Sequence, residues 1–208
     1  TYIVKLKDKP VVVRLETEQH PKYLTEISLL NILRDKDVPL PKLLSYDDSK
    51  KTVDYRYSIL TYIEGDHVRW KSDANLKRNY LLMAKDGLEK VHRIELKRFG
   101  ELDENAIGRM RSWSDFLKLK ALKFFGYEKV NELVDIDTLE HLKQIHDKTV
   151  SGIDLEQGHL ILGDLHPLNF FMKDGRFCSF IDLKSTLSGD VLWDYAVIYY
   201  YTDLEIWP

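Results

Sequence analysis

The sequence predicts an α+β fold in two parts, a small antiparallel β-sheet region followed by a mostly helical region. Short apolar, β-branched runs bounded by turn residues occupy much of the first 65 residues, which is typical of strands. Apolar residues recur at helical spacing through most of residues 75–150. With 44% hydrophobic residues in a chain of 208, a substantial core can be buried. We therefore expect one unit to span residues 1–65 and a second to span residues 66–208.

The first region is predicted to contain three strands and one helix. Tyr2 to Leu6 and Val11 to Leu15 form the first two strands, joined by a turn. Thr25 to Leu33 has the apolar spacing of a helix. That helix should end before Pro39, because the residue that precedes a proline favours an extended conformation. Tyr57 to Ile63 then forms a strand that leads into the second region.

The second region is predicted to be mainly helical up to residue 150. Asn75 to Ile94 and Ser112 to Val150 carry apolar stripes with polar opposite faces. Leu160 to Leu162 is a short apolar run that favours a strand. A further helix is expected to begin near Leu192, and Asp190 is placed to cap its first turn.

A β-hairpin is predicted between the apolar runs Phe170 to Met172 and Phe177 to Ile181. The dipeptide Asp174-Gly175 separates them, and Asp-Gly between apolar runs is a strong signal for a two-residue turn. Regular pairing outward from this turn sets Phe171 opposite Cys178 and Asn169 opposite Phe180. The hairpin therefore brings the residue before its first strand close to the end of its second strand.

The predicted register creates a candidate metal site. Asp182 becomes the diagonal neighbour of Asn169 on the same face, and diagonal neighbours have Cβ atoms somewhat under about 7–8 Å apart. Two short oxygen-bearing side chains can close such a gap around one divalent cation with bonds of roughly 2.1 Å. Asp164, at the end of the preceding strand, is then free to face a substrate hydroxyl.

The stretch from Leu160 to Ala196 resembles the signature of the aminoglycoside phosphotransferase and choline kinase family, the protein-kinase-like small-molecule kinases. That signature is His-Gly-Asp, a short loop to Asn, a strand that ends in Ile-Asp, and then Gly-Asp and a second Asp before an apolar helix. The corresponding residues here are Leu162-Gly163-Asp164, Asn169, Ile181-Asp182, Gly189-Asp190 and Asp194. One element differs, because Leu162 stands where the family has His.

The resemblance implies a two-lobed protein-kinase-like fold with a small β-sheet N-lobe and a mostly helical C-lobe. It implies an ATP-dependent (or GTP-dependent) enzyme that moves the γ-phosphate to a hydroxyl of a small molecule. By resemblance, Asp164 is the catalytic base, and Asn169 and Asp182 hold Mg²⁺. The family uses the position of Asp190 mainly to brace the catalytic loop.

The resemblance also assigns nucleotide-binding residues in the first region. Arg14 occupies the position of the strand cation that steadies the nucleotide phosphates, and Glu26 that of the helix carboxylate that pairs with it. Backbone groups of Thr61 and Ile63 would meet the adenine edge. The family binds phosphates under a loop of small residues between its first two strands, yet no glycine precedes Gly65. We therefore expect that loop and its first strand to precede Thr1, and further helices to follow the segment shown.

The acceptor stays open, and so does the role of two acidic residues. Asp190 and Asp194 either support the structure or face the acceptor. Acidic and aromatic residues cluster in the last part of the sequence, at Asp190, Trp193, Asp194, Tyr199, Tyr200, Tyr201, Asp203, Glu205 and Trp207. Charge pairing and cation–π contact would suit a cationic acceptor there, but an aminoglycoside, a choline-like amine, an amino acid, a nucleoside or a sugar would each offer a hydroxyl.

Two other functions compete with a kinase. Asp164-Leu165-His166 could be an Asp-x-His metal pair of a metallophosphatase, although no His follows His166 to complete a two-metal site. Leu162 and the missing phosphate loop favour a catalytically degenerate nucleotide-binding module. Against the second alternative, a module without activity has no chemical need for Asp164, Asn169 and Asp182 together.

The net charge and the hydropathy of the sequence argue against nucleic acid and membranes as partners. The formal charge of −3 is not that of a nucleic-acid binder, for which a basic surface is expected. No apolar run approaches the roughly 20 residues of a membrane span. We therefore expect a cytoplasmic enzyme whose partner is a small-molecule hydroxyl acceptor, with neither nucleic acid nor membrane involved. The oligomeric state is left open.

Overall fold

The computed structural model describes residues 1–7, 9–16, 22–67 and 74–203. The first of its two lobes contains β1 (Tyr2–Lys5), β2 (Pro10–Glu16), α1 (Tyr23–Leu33), β3 (Leu43–Asp47) and β4 (Arg56–Thr61). The four strands form one antiparallel sheet in the order β1-β2-β4-β3. The α1 helix packs against β3 and buries Leu29, Leu30 and Leu33. The predicted strands and helix are all present, and β3 is an additional strand that the pattern does not indicate.

The second lobe is mixed. Its elements are β5 (Asp66–His67), α2 (Ala74–His92), β6 (Glu95–Leu96), β7 (Phe99–Leu102), β8 (Gly108–Met110), α3 (Trp113–Phe125), α4 (Glu128–Leu133), α5 (Ile136–Ser151), β9 (Gly158–Ile161), a 3₁₀ turn (Pro167–Asn169), β10 (Phe170–Lys173), β11 (Arg176–Phe180), β12 (Leu187–Gly189) and α6 (Leu192–Asp203). The strands form a three-stranded sheet, β11-β10-β5, and a five-stranded sheet, β6-β9-β12-β7-β8. Most of these strands have two to four residues, too few to show a period in the sequence.

The helical pattern of residues 112–150 is divided into three helices by local capping. Ser112 accepts a hydrogen bond from the backbone N–H of Asp115 at 3.1 Å and begins α3. Gly126 ends that helix, and Asp135 begins α5 by accepting from the N–H of Thr138 at 2.9 Å. In the part of the chain that the structure describes, every helix is too short or too polar to cross a lipid bilayer.

The predicted hairpin is present, with an irregularity that the sequence does not show. Asp174 and Gly175 have φ angles of 51° and 73°, the positive values that a two-residue hairpin turn of this type needs. A bulge follows the first two pairs, so that Phe171 lies opposite Ser179 and not opposite Cys178. The predicted register is therefore wrong beyond this point, because a bulge adds one residue to one strand.

The bulge changes the partner of the candidate metal ligand. Phe180 pairs with Phe170, and the N–H of Ile181 donates to the carbonyl of Asn169 at 2.9 Å. Asn169 therefore lies opposite Ile181 and not opposite Phe180. Asp182 follows Ile181 directly, so the two side chains remain on neighbouring segments, although not as the diagonal pair that regular pairing predicts.

Two hydrophobic clusters meet at β9. The larger cluster joins the lobes, with Leu30 and Leu60 from the first and Leu160 from the second. A smaller cluster contains Ile161, together with Phe99, Trp113, Phe116 and Leu187. Successive side chains of a strand face opposite sides, and both Leu160 and Ile161 have no exposed surface. The loop that follows β9 therefore starts from a strand that is packed on both faces.

Candidate active site

The loop after β9 turns at a glycine that no other residue can replace without movement. Gly163 has a φ of +77°, and a Cβ atom added there would lie 2.2 Å from the carbonyl oxygen of Ser185. Only glycine adopts such a φ at no steric cost while it allows this close approach. The turn brings Asp164 into the wall of a pocket of about 450 Å³. The other residues that line this pocket are Gly163, Ser185, Trp193, Ala196, Val197, Tyr200 and Tyr201. We call it the acceptor pocket, after the role that the sequence suggests for this aromatic region.

A buried carboxylate holds the start of this loop. Asp194 on α6 has no exposed surface. Its two oxygens accept from the backbone N–H groups of Leu162 at 2.9 Å and Gly163 at 2.8 Å. His92, from the last turn of α2, donates Nε2–H to the same carboxylate at 2.9 Å. A buried carboxylate is tolerated when its charge is satisfied in this way.

The structure therefore places Asp194 as a support of the loop and not among the residues that line the pocket, which favours the structural one of the two roles that the sequence left open. It also performs the bracing that the resemblance implied for Asp190. Asp190 accepts from the N–H of Leu192 at 3.0 Å, so it caps α6 and is not among the residues that line the pocket. Leu162 is 3% exposed and belongs to the larger core cluster. The position of the family's His is thus a packing position in this chain.

Asp164 itself is left available. Its carboxylate accepts no hydrogen bond from any residue that the structure describes, whereas its backbone carbonyl accepts from Nδ2 of Asn169 at 2.9 Å. Burial, together with the nearby Asp164 and Tyr200, raises the pKa of Tyr201 above its usual value. His166 packs edge-on against the same ring, with ring centres 4.8 Å apart. Glu205 and Trp207, which the sequence also linked to the acceptor, lie outside the described residues.

Asn169 and Asp182 present oxygen atoms of the kind that Mg²⁺ prefers. Because Nδ2 of Asn169 donates to Asp164, its Oδ1 remains for a cation. Asp182 is exposed and has a φ of +65°, and its Oδ1 accepts from the N–H of Lys184 at 3.1 Å, which leaves Oδ2. Aspartate tolerates this left-handed conformation better than most residues. The donor set therefore fits Mg²⁺, which binds one or two protein ligands and completes its shell with phosphate and water.

The contacts of His166 bear on the alternative function, a two-metal phosphatase. Among residues 1–7, 9–16, 22–67 and 74–203, no group of three or more His, Cys, Asp or Glu side chains is arranged to hold a metal ion. Nδ1 of His166, in the predicted Asp-x-His pair, accepts from the N–H of Leu168 at 3.1 Å and orders the loop. The geometry therefore does not favour the two-metal phosphatase.

A second, larger cavity of about 580 Å³ lies between the sheet of the first lobe and the β10–β11 hairpin. Its wall contains five of the predicted site residues, Arg14, Glu26, Thr61, Ile63 and Asp182. Apolar side chains face the same space, among them Val12, Leu60, Phe171 and Ile181. We call this cavity the nucleotide cleft, after the role that the family resemblance implies for these residues. Asp164 and Asn169 are not among the residues that line this cleft, but Asn169 accepts from the N–H of Ile181, which lies in the cleft wall beside Asp182.

Arg14 and Glu26 form the predicted ion pair between β2 and α1. Nη1 of Arg14 lies 2.5 Å from Oε1 of Glu26, and Nη2 lies 3.5 Å from Oε1 of Glu16. Burial alone would lower the pKa of Arg14, but the charges of Glu26, Glu16 and Asp182 raise it above its usual value. The guanidinium is therefore charged, and it lies in the field of the candidate metal ligand Asp182.

The segment after β4 forms one wall of the nucleotide cleft. Thr61 is fixed to Lys42 by two hydrogen bonds of 2.9 Å, one from its own N–H and one to its Oγ1. Gly65, with a φ of +152°, lies so close to β10 that a Cβ atom would be 2.7 Å from the carbonyl of Met172. The segment from Thr61 to Gly65 is thus held at both ends beside the cleft.

Comparison with known proteins agrees with this geometry. The model of the phosphotransferase enzyme family (APH) matches residues 1–208. No curated protein matches the sequence. Among solved structures, the fold is similar to that of a thermostable variant of aminoglycoside phosphotransferase APH(4)-Ia, in a ternary complex with AMP-PNP and hygromycin B. The TM-score is 0.74 and the identity is 15%, and the match covers 96% of this chain and 67% of that chain.

Two further structures share the fold. The apo form of the same thermostable variant has a TM-score of 0.68 and 15% identity over 97% of this chain and 72% of that chain. The ternary complex of APH(2")-IIa with streptomycin and ATP has a TM-score of 0.57 and 15% identity, and the match covers 97% of this chain and 76% of that chain. At these identities the likeness shows a common two-lobed fold, while the family match extends over the whole sequence. The chain belongs to the phosphotransferase enzyme family (APH) and is an enzyme of the small-molecule kinase type.

Proposed function

We propose that this enzyme transfers the γ-phosphate of ATP, or of GTP, to a hydroxyl of a small molecule. The observation that carries the proposal is the position of Asp164. Its carboxylate has no hydrogen-bond partner among the described residues and lies in the wall of the acceptor pocket, while its backbone is tied to Asn169. In this proposal residues 1–65 bind the nucleotide, and residues 66–208 supply the base and the metal ligands. A cytoplasmic location stays a prediction.

The nucleotide cleft supports binding of a nucleoside triphosphate. Apolar side chains such as Val12, Leu60 and Phe171 offer surfaces on which a flat base can lie. Backbone groups of Thr61 and Ile63 would meet the edge of the base. The N–H of Thr61 is engaged with Lys42, so the carbonyl of Thr61 and the N–H of Ile63 are the groups we assign to this contact. Ligand complexes of two structural neighbours, one with AMP-PNP and one with ADP, support nucleotide use.

Charge at the other end of the cleft supports a bound metal and phosphates. We assign Mg²⁺ to Oδ1 of Asn169 and to Asp182, with the remaining positions taken by phosphate and water. When bound, the ion would neutralise charge on the transferring phosphate. Arg14, held by Glu26, adds a fixed positive charge on the β2 side. Contacts with neighbouring residues hold these groups in position, which is the arrangement that favours electrostatic catalysis.

Asp164 would act as the catalytic base. As the acceptor oxygen forms its bond to the γ-phosphorus, the bond from that phosphorus to the β,γ-bridging oxygen breaks, and the nucleoside diphosphate leaves with that oxygen. The hydroxyl proton passes to the Asp164 carboxylate. Asp194 and Asn169 fix the backbone on both sides of Asp164, so that the carboxylate meets the acceptor in a defined geometry.

The acceptor class is supported only in outline. Trp193, Tyr200 and Tyr201 give the acceptor pocket an aromatic wall, which suits an amine-bearing acceptor through cation–π contact. Structural neighbours are complexes with hygromycin B, streptomycin and gentamicin. An aminoglycoside, a choline-like amine or another hydroxylated metabolite would fit the proposal.

A substrate screen tests the proposal. The chain is incubated with MgATP or MgGTP and panels of aminoglycosides, amino alcohols, nucleosides and sugars, and nucleoside diphosphate release is followed. We expect turnover that depends on an acceptor and is lost in Asp164→Asn. Asp174→Asn makes the same chemical change at the exposed hairpin turn and should leave turnover unaltered. Nucleotide binding without turnover on any acceptor would favour the degenerate module, and phosphate-ester hydrolysis without nucleotide would favour the phosphatase.

A further inference from the structure

We propose that Lys184 is a second cation that binds the nucleotide phosphates, an assignment that rests on the proposed function. Lys184 lines the nucleotide cleft together with Arg14 and Asp182. In the ranges that the structure describes, Arg14 and Lys184 are the only arginine or lysine side chains in the wall of this cleft. The sequence pattern did not single out Lys184.

Most of the positive charge of Arg14 is balanced by neighbouring carboxylates, so little of it is available to a phosphate. Its guanidinium contacts Glu26 at 2.5 Å and Glu16 at 3.5 Å, and the charge of Asp182 acts on it as well. The charge of the Arg14 guanidinium is therefore divided between two carboxylates on the β2 side of the cleft. A triphosphate carries several negative charges, and like charges at close range repel. A further cation on the opposite side of the cleft would offset this repulsion.

The backbone of Lys184 is fixed while its side chain is not. Its N–H donates to Oδ1 of Asp182 at 3.1 Å, and its carbonyl accepts from Nζ of Lys22, just before α1, at 3.0 Å. The segment is therefore tied both to the proposed metal ligand and to the helix that carries Glu26. By contrast, Nζ of Lys184 makes no hydrogen bond or ion pair with any described residue, and the residue is half-buried.

A half-buried lysine beside a proposed metal ligand, whose ammonium has no partner among the described residues, has the properties of a phosphate contact. Lysine binds phosphate as a point charge with three donors, and it needs no fixed fork of the kind that arginine presents. Its position two residues after Asp182 places it at the end of the cleft where the metal and the phosphates are assigned. A lysine with a purely solvating role would be expected on the open surface. Lys184 instead lies in the wall of the cleft, and its backbone N–H and carbonyl are both hydrogen-bonded to other residues.

The test compares ligands that differ in phosphate number. Binding of adenosine, AMP, ADP and ATP, each with Mg²⁺, is measured by titration calorimetry for the unaltered chain and for Lys184→Met. We expect the variant to bind ATP roughly 10- to 100-fold more weakly, the range for one hydrogen bond to a charged group. Its affinity for adenosine should not change. Lys184→Arg keeps the charge and should restore most of the ATP affinity.

Lys85→Met is the matched control, because Lys85 is exposed on α2 and pairs with Glu89 at 3.4 Å outside the cleft. Equal weakening of ATP and adenosine in Lys184→Met would show a structural role and overturn the assignment. Unchanged ATP affinity would overturn it as well. In both cases the unaltered chain still binds ATP, so the proposed function survives. Failure of the unaltered chain to bind ATP or GTP would instead remove the proposed function together with this assignment.

Discussion

The nucleotide cleft and the acceptor pocket use their acidic residues in opposite ways. In the cleft, Glu26 pairs with Arg14, and Asp182 is exposed toward the space that a ligand would fill. Beside the acceptor pocket, Asp194 is fully buried beneath the loop and Asp190 caps a helix. Asp164 is the only acidic residue in the described wall of that pocket, and aromatic rings make up much of the rest.

This difference explains why the chemistry can be inferred further than the substrate. Phosphate and metal require charged groups at set positions, and such groups leave a recognisable order in the sequence. An acceptor is selected by the shape and surface of a pocket. In the proposed function that pocket is lined by Trp193, Tyr200 and Tyr201 of α6. These three residues are uncharged aromatics, so they form no pattern of charged residues that could be recognised in the sequence. The two regions should therefore respond separately to substitution.

The largest separate effect is expected from Asp164→Asn, which removes the proposed base and preserves side-chain size. We expect kcat to fall about 10²- to 10⁴-fold, the usual contribution of a general base. The Kd for nucleotide should change little, because Asp164 is not in the wall of the nucleotide cleft. Steady-state kinetics and calorimetry measure the two quantities. If nucleotide affinity fell in parallel with kcat, the two regions would not be separable in this way.

The next effect concerns stability on the acceptor side. Asp194→Ala leaves two backbone N–H groups and His92 without their buried acceptor, so we expect the free energy of unfolding to fall by about 3–5 kcal/mol. Asp190→Ala removes only a helix-capping bond and should cost about 1 kcal/mol. Urea unfolding followed by circular dichroism compares them. Equal losses for the two variants would show that Asp194 is not the special support that its three hydrogen bonds indicate.

These same contacts show where inference from the sequence stops. The hairpin turn could be predicted because Asp174-Gly175 encodes it locally. The predicted register is wrong beyond the first two pairs, because the bulge between Phe171 and Met172 has no local signal in the sequence. His92 and Asp194 are 102 positions apart, and their contact depends on how α2 and α6 pack in the folded chain. No periodicity or motif spacing reports a contact of this kind.

The first lobe could be predicted further than the second. Arg14 and Glu26 are twelve residues apart on a strand and the helix that follows it, and their order together with the family resemblance was enough to pair them. The five-stranded sheet of the second lobe was missed. Its strands have two to four residues and come together from distant parts of the sequence, for example β6, β9 and β12. Packing, and not local propensity, determines such short strands.

On the nucleotide side, Glu26→Gln tests whether the ion pair positions Arg14. The neutral side chain can no longer hold the guanidinium as firmly, and Glu16 is placed to draw it away. We expect the Kd for ATP to rise about tenfold, as for the loss of one charged hydrogen bond. Glu16→Gln, which removes the longer contact of 3.5 Å, should change it less than about threefold. A larger effect from Glu16→Gln would assign the positioning role to Glu16.

The smallest effect is expected on the aromatic wall of the acceptor pocket. Tyr200 lines the pocket and is 58% exposed, so an amine held against its ring would gain the modest energy of an exposed cation–π contact. Tyr200→Ala should therefore raise the KM for an amine-bearing acceptor about two- to fivefold and leave the Kd for nucleotide unchanged. Tyr199→Ala is the matched control, because the neighbouring Tyr199 is 57% exposed and does not line the pocket. The same rise in KM in both variants would mean that the change acts through α6 as a whole. A rise in KM that is confined to Tyr200→Ala, and that is absent for a neutral acceptor of similar size, would identify the Tyr200 ring as part of the surface that selects the acceptor.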